Sequence, residues 1–120
     1  MNTMSLLLDY LVKKSIVRKD DSKLSKNVAD VIMSIGKADD IHIRDRILGI
    51  GTILEENLEE HYYITSVKLN GGSVLAYAII LRKDNTAETI AYAKEGLINR
   101  NYAQKAIAII KEKLSPLLIQ

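Results

Sequence analysis

Cysteine is absent from this chain, which excludes disulfides, thiolate metal sites and a cysteine nucleophile. The absence fits a reducing cytoplasm. Proline occurs once, at Pro116, where it stops the helix that the preceding residues predict. Histidine occurs only as His42 and His61, without HxxxH-type spacing, so a metal site would need Asp39, Asp40 or a glutamate to complete it. Ordinary surface or strand-end histidines are the favoured reading. An excess of either charge is also missing: 17 Lys and Arg stand against 15 Asp and Glu, and a net +2 does not by itself imply nucleic acid. The longest apolar run, Val74 to Leu81, falls far short of the roughly 20 residues a membrane-spanning helix needs. No basic residue precedes Leu6-Leu7-Leu8, and Asp9 follows at once, so no secretory signal is expected. These absences lead us to expect a soluble protein of the cytoplasm.

What is present reads as globular. The 120 residues fit one domain spanning 1–120, with 48% apolar and 27% charged residues. A chain of this length buries about two-thirds of the surface its unfolded form exposes, enough for an independent core. Isoleucine outnumbers leucine and Lys and Glu are plentiful, a hint of a thermophile or an AT-rich genome.

Hydrophobic periodicity divides the chain into elements. Residues 4–14 predict a short helix with Leu7, Tyr10 and Leu11 on one side and Lys13 and Lys14 at its C-terminal end. Ser15 to Lys19 reads as a short strand, and Asp20-Asp21-Ser22 as a turn. Residues 22–37 fit two readings. Leu24, Val28, Val31, Ile32 and Ile35 follow helical spacing behind a Ser22 cap, with Gly36 ending the helix. A strand followed by a loop is the other. Asp39-Asp40 caps a predicted helix over residues 40–60, striped by Ile43, Ile47, Ile50, Leu54 and Leu58. Gly49 and Gly51 lie near that stripe, and glycine costs a helix about 1 kcal/mol relative to alanine, so close approach by another element is implied.

A meander follows. Residues 61–69 form its first predicted strand, and Asn70-Gly71-Gly72 supplies the positive φ angles of a tight turn. Residues 73–83 are apolar on both faces, which predicts a central strand. Asp84-Asn85-Thr86 makes the next turn, and residues 87–94 form the third strand, with a helical start at Thr86 as the alternative. Asn99 or Asn101 caps a last helix over 100–114, whose buried stripe is Ala103, Ala106, Ile107, Ile110 and Leu114. The fold class expected is α+β. An antiparallel sheet of three to five strands carries a long central helix and a packed C-terminal helix.

No motif marks a reaction. Gly49-Ile50-Gly51-Thr52 lacks the lysine of a P-loop, and no strand precedes a GxGxxG pattern, so the glycines read as packing contacts. Nothing marks a Ser–His–Asp constellation. No enzyme, cofactor or metal site is expected. The run Lys13, Lys14, Arg18, Lys19, Lys23 and Lys26 reads as a solvated face, or else as a phosphate-binding patch. Tyr62, Tyr63 and Tyr77 read as core and sheet-face residues before they read as base-stacking platforms. Glu55, Glu56, Glu59 and Glu60 crowd the end of the predicted middle helix, where they oppose its macrodipole and suggest an acidic docking surface.

The order of elements from Asp39 to Leu118, with Gly96-Leu97-Ile98 ahead of AQKAIAIIKEKLSPLL, resembles the roadblock / dynein light chain family. Ser15 to Asp21 is similar to that family's first strand and turn, with Asp20-Asp21 in place of the usual Asp-Gly. The resemblance implies a non-enzymatic homodimer that scaffolds or regulates small GTPases. It places Ile47, Ile50, Leu54 and Leu58, with Tyr63, Thr65 and Val67, near an interface where the middle helices and a sheet edge meet. A second resemblance competes: Ile41 to Arg46, followed by Ile50 and Leu54, resembles the strand–loop–helix of archaeal Alba chromatin proteins, with 22–36 as the first helix. It implies nucleic-acid binding through Arg18, Lys19, Lys23, Arg44 and Arg46. Residues 84–120 have no counterpart there, and Asp20-Asp21 replaces the expected paired lysines.

Overall fold

Alternating side chains build one five-stranded antiparallel sheet. The computed structural model describes residues 2–18, 27–95 and 98–116. In chain order the elements are α1 (Thr3–Lys13), β1 (Val28–Ser34), α2 (Asp40–Leu48), β2 (Ile53–Asn57), β3 (Tyr62–Leu69), β4 (Val74–Lys83), β5 (Thr86–Tyr92) and α3 (Tyr102–Leu114). The strands lie in the order β1-β5-β4-β3-β2, so the doubly apolar β4 is central, as its composition requires. The turn at Asn70–Gly72 carries positive φ at all three residues, and a two-residue turn, Asp84-Asn85, joins Lys83 to its partner Thr86.

Period-two alternation sends β3 to both faces at once. Tyr63, Val67 and Leu69 join a cluster with Ile43 and Ile47 of α2 and Ala106, Ile107 and Ile110 of α3. Tyr62 and Ile64 join a second cluster with Leu7, Tyr10 and Leu11 of α1. Two helices therefore cover one face of the sheet and one helix covers the other. The buried stripe of α3 is Ala103, Ala106, Ile107, Ile110 and Leu114, as its periodicity predicts. Asn101 stands at the cap position without a side-chain cap; the Glu95 carboxylate instead accepts from the N–H groups of Arg100 and Tyr102.

Two expectations need correction, and one open reading resolves in favour of the strand. Ser15 to Arg18 form no strand: Ser15 takes positive φ, and the N–H groups of Ser15 and Ile16 return to the carbonyls of Val12 and Leu11 at 3.0 and 2.8 Å, closing α1. Lys19 and the turn at 20–22 lie outside the described residues. Within 22–37, residues 28–34 are strand rather than helix, with Ala29, Val31 and Met33 packed on the two-helix side, and Gly36 (φ 63°) turns the chain.

The middle helix is the largest correction. It ends at Leu48, not near 60. The N–H groups of Gly49 and Ile50 reach back to Arg46 and Ile47 at 3.1 and 2.8 Å, a tightened last turn, and the chain then crosses β3 at Gly51. Leu54 is the extra residue of a bulge between Ile53, opposite Thr65, and Glu55, opposite Ile64. Asn57 accepts from the N–H of Glu60, and His61 takes φ 59°, completing the hairpin to β3. The i, i+4 spacing of Ile50, Leu54 and Leu58 is thus carried by a turn, a strand and a second turn rather than by one helix.

Candidate functional site

The start of α2, the β2–β3 hairpin and the end of β4 converge on one polar cluster. Asp39 caps α2 by accepting from the His42 N–H at 3.1 Å, which leaves the Asp40 side chain facing the sheet end. The Asp40 carboxylate accepts from Arg82 Nε at 3.1 Å and lies 2.9 Å from His61 Nδ1. The same His61 nitrogen is 3.1 Å from Arg82 Nη2. It can donate to the carboxylate or accept from the guanidinium, not both. Arg82 is already charge-paired with Asp40, so the Nδ1–H tautomer donating to Asp40 is the assignment we adopt. The positive φ of His61 aims its ring at this cluster. Tyr63 donates its hydroxyl to the Asp40 carbonyl at 3.1 Å, fixing the helix start on β3.

The electrostatics follow from this packing. Burial alone would raise the Asp40 carboxyl, but the hydrogen bonds and charges of Arg82 and His61 outweigh it and hold the group below its ordinary range. Burial, reinforced by the nearby Asp40 and Glu56, pushes the Tyr63 phenol up to about 12, so it stays a hydrogen-bond donor. A carboxyl depressed on folding stabilises the protein above its unfolded value of about 3.9, and that contribution is lost as pH falls through the lower folded value. Asp40→Asn removes it and leaves Arg82, 22% exposed, without its anion. We expect a loss of about 1–3 kcal/mol near neutral pH. The gap to wild type should close below about pH 4 in denaturation curves taken across pH. A gap that persists undiminished at acid pH would show that Asp40 does not act through its charge.

Beside this cluster lies a cleft of about 230 Å³ lined by Asp40, Ile41, Arg44, Glu56, Leu58 and Tyr63. Arg44 Nε donates to Glu56 at 3.0 Å across it. Ile41 and Leu58 flank it, 71% and 56% exposed.

The residues expected at an interface separate into two sets. Ile47, Ile50, Tyr63, Thr65 and Val67 are buried within the chain itself: Ile47 on α2 and Ile50 in the turn after it, the other three on β3, an interior strand between β2 and β4. Leu54 and Leu58 are exposed, on opposite sides of the sheet: Leu54 by α1 and Leu58 by α2. The four glutamates do not end a helix. Glu55 and Glu56 stand on β2, engaged by the Tyr62 hydroxyl and by Arg44, while Glu59 and Glu60 are exposed at the hairpin tip. Among the basic residues, Arg44 and Arg46 belong to α2 on the two-helix face, Arg18 follows α1, and Lys19 and Lys23 lie outside the described residues. The described members of that set do not form one patch.

The Asp40–His61–Arg82 cluster has no signature in the sequence. Its members are separated by 21 residues each, Asp40 to His61 and His61 to Arg82. Only the sheet register, which sets the His61 turn against the end of β4, joins them; the Arg82 N–H donates to the His61 carbonyl at 2.8 Å. Among the described residues no group of three His, Cys, Asp or Glu is placed to hold a metal ion, and no helix is long and apolar enough to cross a membrane. The described residues form an α+β chain with an antiparallel five-stranded sheet and three α-helices. No family model matches the chain, and neither a curated protein nor a solved structure matches it.

Proposed function

We propose that this chain is a non-enzymatic interaction module that forms a homodimer through the outer side of α2 and the β2–β3 hairpin. One observation carries the reading: Ile41 and Leu58, both large and mostly exposed, flank a cleft whose floor is Tyr63. Exposed aliphatics arranged around a cleft suit a partner better than they suit water. The same patch holds Arg44 and Glu56 side by side. A patch with one charge of each sign between two apolar residues is self-complementary, as a two-fold interface requires. Arg44 of one copy then exchanges to Glu56 of the other. The resemblance to the roadblock family extends the proposal to a cytoplasmic scaffold that regulates a small GTPase. It changes the residues that meet, since the core already occupies Ile47, Ile50, Tyr63, Thr65 and Val67.

Light scattering over micromolar concentrations tests this. We expect a dimer, and at least a roughly tenfold weaker one for Leu58→Glu, which buries an unpaired carboxylate in the interface. A strict monomer at all concentrations would end the proposal.

A further inference from the structure

Among the described residues, α1 is the one helix on its side of the sheet. A helix with its side chains is about 10–12 Å across and strands lie about 4.8 Å apart, so one helix shields little more than two strands. The opposite face carries α2 and α3, whereas α1 stands alone over the middle of its face. Next to the C-terminal turn of α1 an open groove of about 430 Å³ runs over β2, β3 and β4. Ile16, Leu54, Leu75 and Tyr77 line it, with Leu54 and Leu75 37% and 44% exposed. Lys14 and Lys68 stand at its rim, both exposed. Among the described residues neither ammonium has a carboxylate partner, and Lys14 lies only over the Tyr10 ring, 5.9 Å from its centre. Glu55, whose charge acts on Tyr10, is already engaged by the Tyr62 hydroxyl.

We propose that this groove docks an acidic amphipathic helix of a partner protein, laid beside α1 as the second helix of that face. The apolar floor takes the leucine-type stripe of such a helix, and the two unpaired lysines take carboxylates on its flank. The groove is open along its length rather than enclosed, unlike sites that bury most of a small ligand. Among its described residues a second copy of this chain offers no helix with a free apolar stripe. Each of its three helices already buries its own apolar stripe: Leu7 and Leu11 in α1, Ile43 and Ile47 in α2, and Ala106 and Ile110 in α3. The site lies across the sheet from the dimer cleft and does not depend on it.

Selection of a displayed library of random peptides, each about sixteen residues or roughly four helical turns long, against the intact protein tests this inference. Enriched peptides should carry apolar residues at helical spacing with Asp or Glu alongside. The leading synthetic peptide should perturb the amides of Lys68, Leu75 and Tyr77 and lose affinity as salt rises. Its binding should fall roughly tenfold in Lys14→Glu/Lys68→Glu, a protein whose melting is checked against wild type. Lys68→Glu alone serves if reversal at the end of α1 disturbs that helix. Binding should persist in Leu58→Glu, which separates this site from the dimer cleft. No enrichment, enrichment without acidic bias, or affinity indifferent to the lysines would overturn the proposal. So would a change of oligomeric state in the lysine variant, since it would show that a second copy covers the groove.

Discussion

Gly51→Ala is expected to be among the most damaging single substitutions in this chain, although it adds one methyl group. A Cβ at residue 51 would lie 2.0 Å from the Ser66 carbonyl oxygen and 2.8 Å from its carbon. Both are backbone atoms of an interior strand, and they cannot swing aside as a side chain would. Ser66 is further pinned by its neighbours: its N–H donates to the Thr52 carbonyl at 2.9 Å, and its hydroxyl accepts from the Thr52 N–H at 3.0 Å. Relief of the clash must break this join between α2 and β2. We expect a loss of about 3 kcal/mol or more, which for a domain of this size lowers the melting temperature by roughly 10 °C. Gly49→Ala is the control. Its Cβ would meet nothing closer than the Arg46 carbonyl at 3.4 Å, at φ −81°, so melting should change by only a degree or two either way, about 0.5 kcal/mol. Equal melting of the two variants would show that β3 does not approach Gly51 as described.

The contrast between these glycines shows what was legible in the sequence. Close approach by another element, read for both from helix propensity, holds at Gly51, where the neighbour is strand β3, and not at Gly49. Elements with one clear period are readable: the meander strands alternate, and α3 repeats its stripe at helical spacing. The segment 49–61 misleads because Ile50, Leu54 and Leu58 share a four-residue spacing, while of the half-buried β2 positions Ile53, Glu55 and Asn57 only Ile53 is apolar. An edge strand needs only one apolar face, and its hairpin is set by Asn57 and by the positive φ of His61, neither of which carries a hydrophobic signal. The polar cluster is illegible for a related reason. Asp40 reads as a helix cap and Arg82 as a strand-end cation, and only the pairing of β3 with β4 and the seating of α2 on β3 bring them to 3.1 Å. Of the interface residues read from the resemblance, those on β3 depend on that strand being an edge. The arrival of β2 beside it turns them into core.

Ile47→Ala and Leu58→Glu are therefore expected to separate stability from association. Ile47 is fully buried in the cluster that joins α2 to β3 and α3. Truncating it removes methylenes and leaves a cavity, at a cost of about 2–5 kcal/mol. That loss belongs to the single chain, so the urea midpoint should fall equally at low and high protein concentration. Leu58 is 56% exposed on the hairpin, and Glu59 and Glu60 beside it are exposed as well. A further carboxylate there should change the stability of the isolated chain by no more than about 0.5 kcal/mol. If the proposed homodimer forms, the effect of that carboxylate should emerge only at concentrations where the dimer is populated, because partner binding adds to apparent stability by mass action. Urea curves at two concentrations, with light scattering at each, read both quantities. If Ile47→Ala dissociated the dimer while leaving the monomer's midpoint unchanged, the buried stripe of α2 would be the interface and the cleft at Leu58 would not. A concentration-independent loss for Ile47→Ala beside a concentration-dependent one for Leu58→Glu places the core inside each chain and the contact between chains at the hairpin.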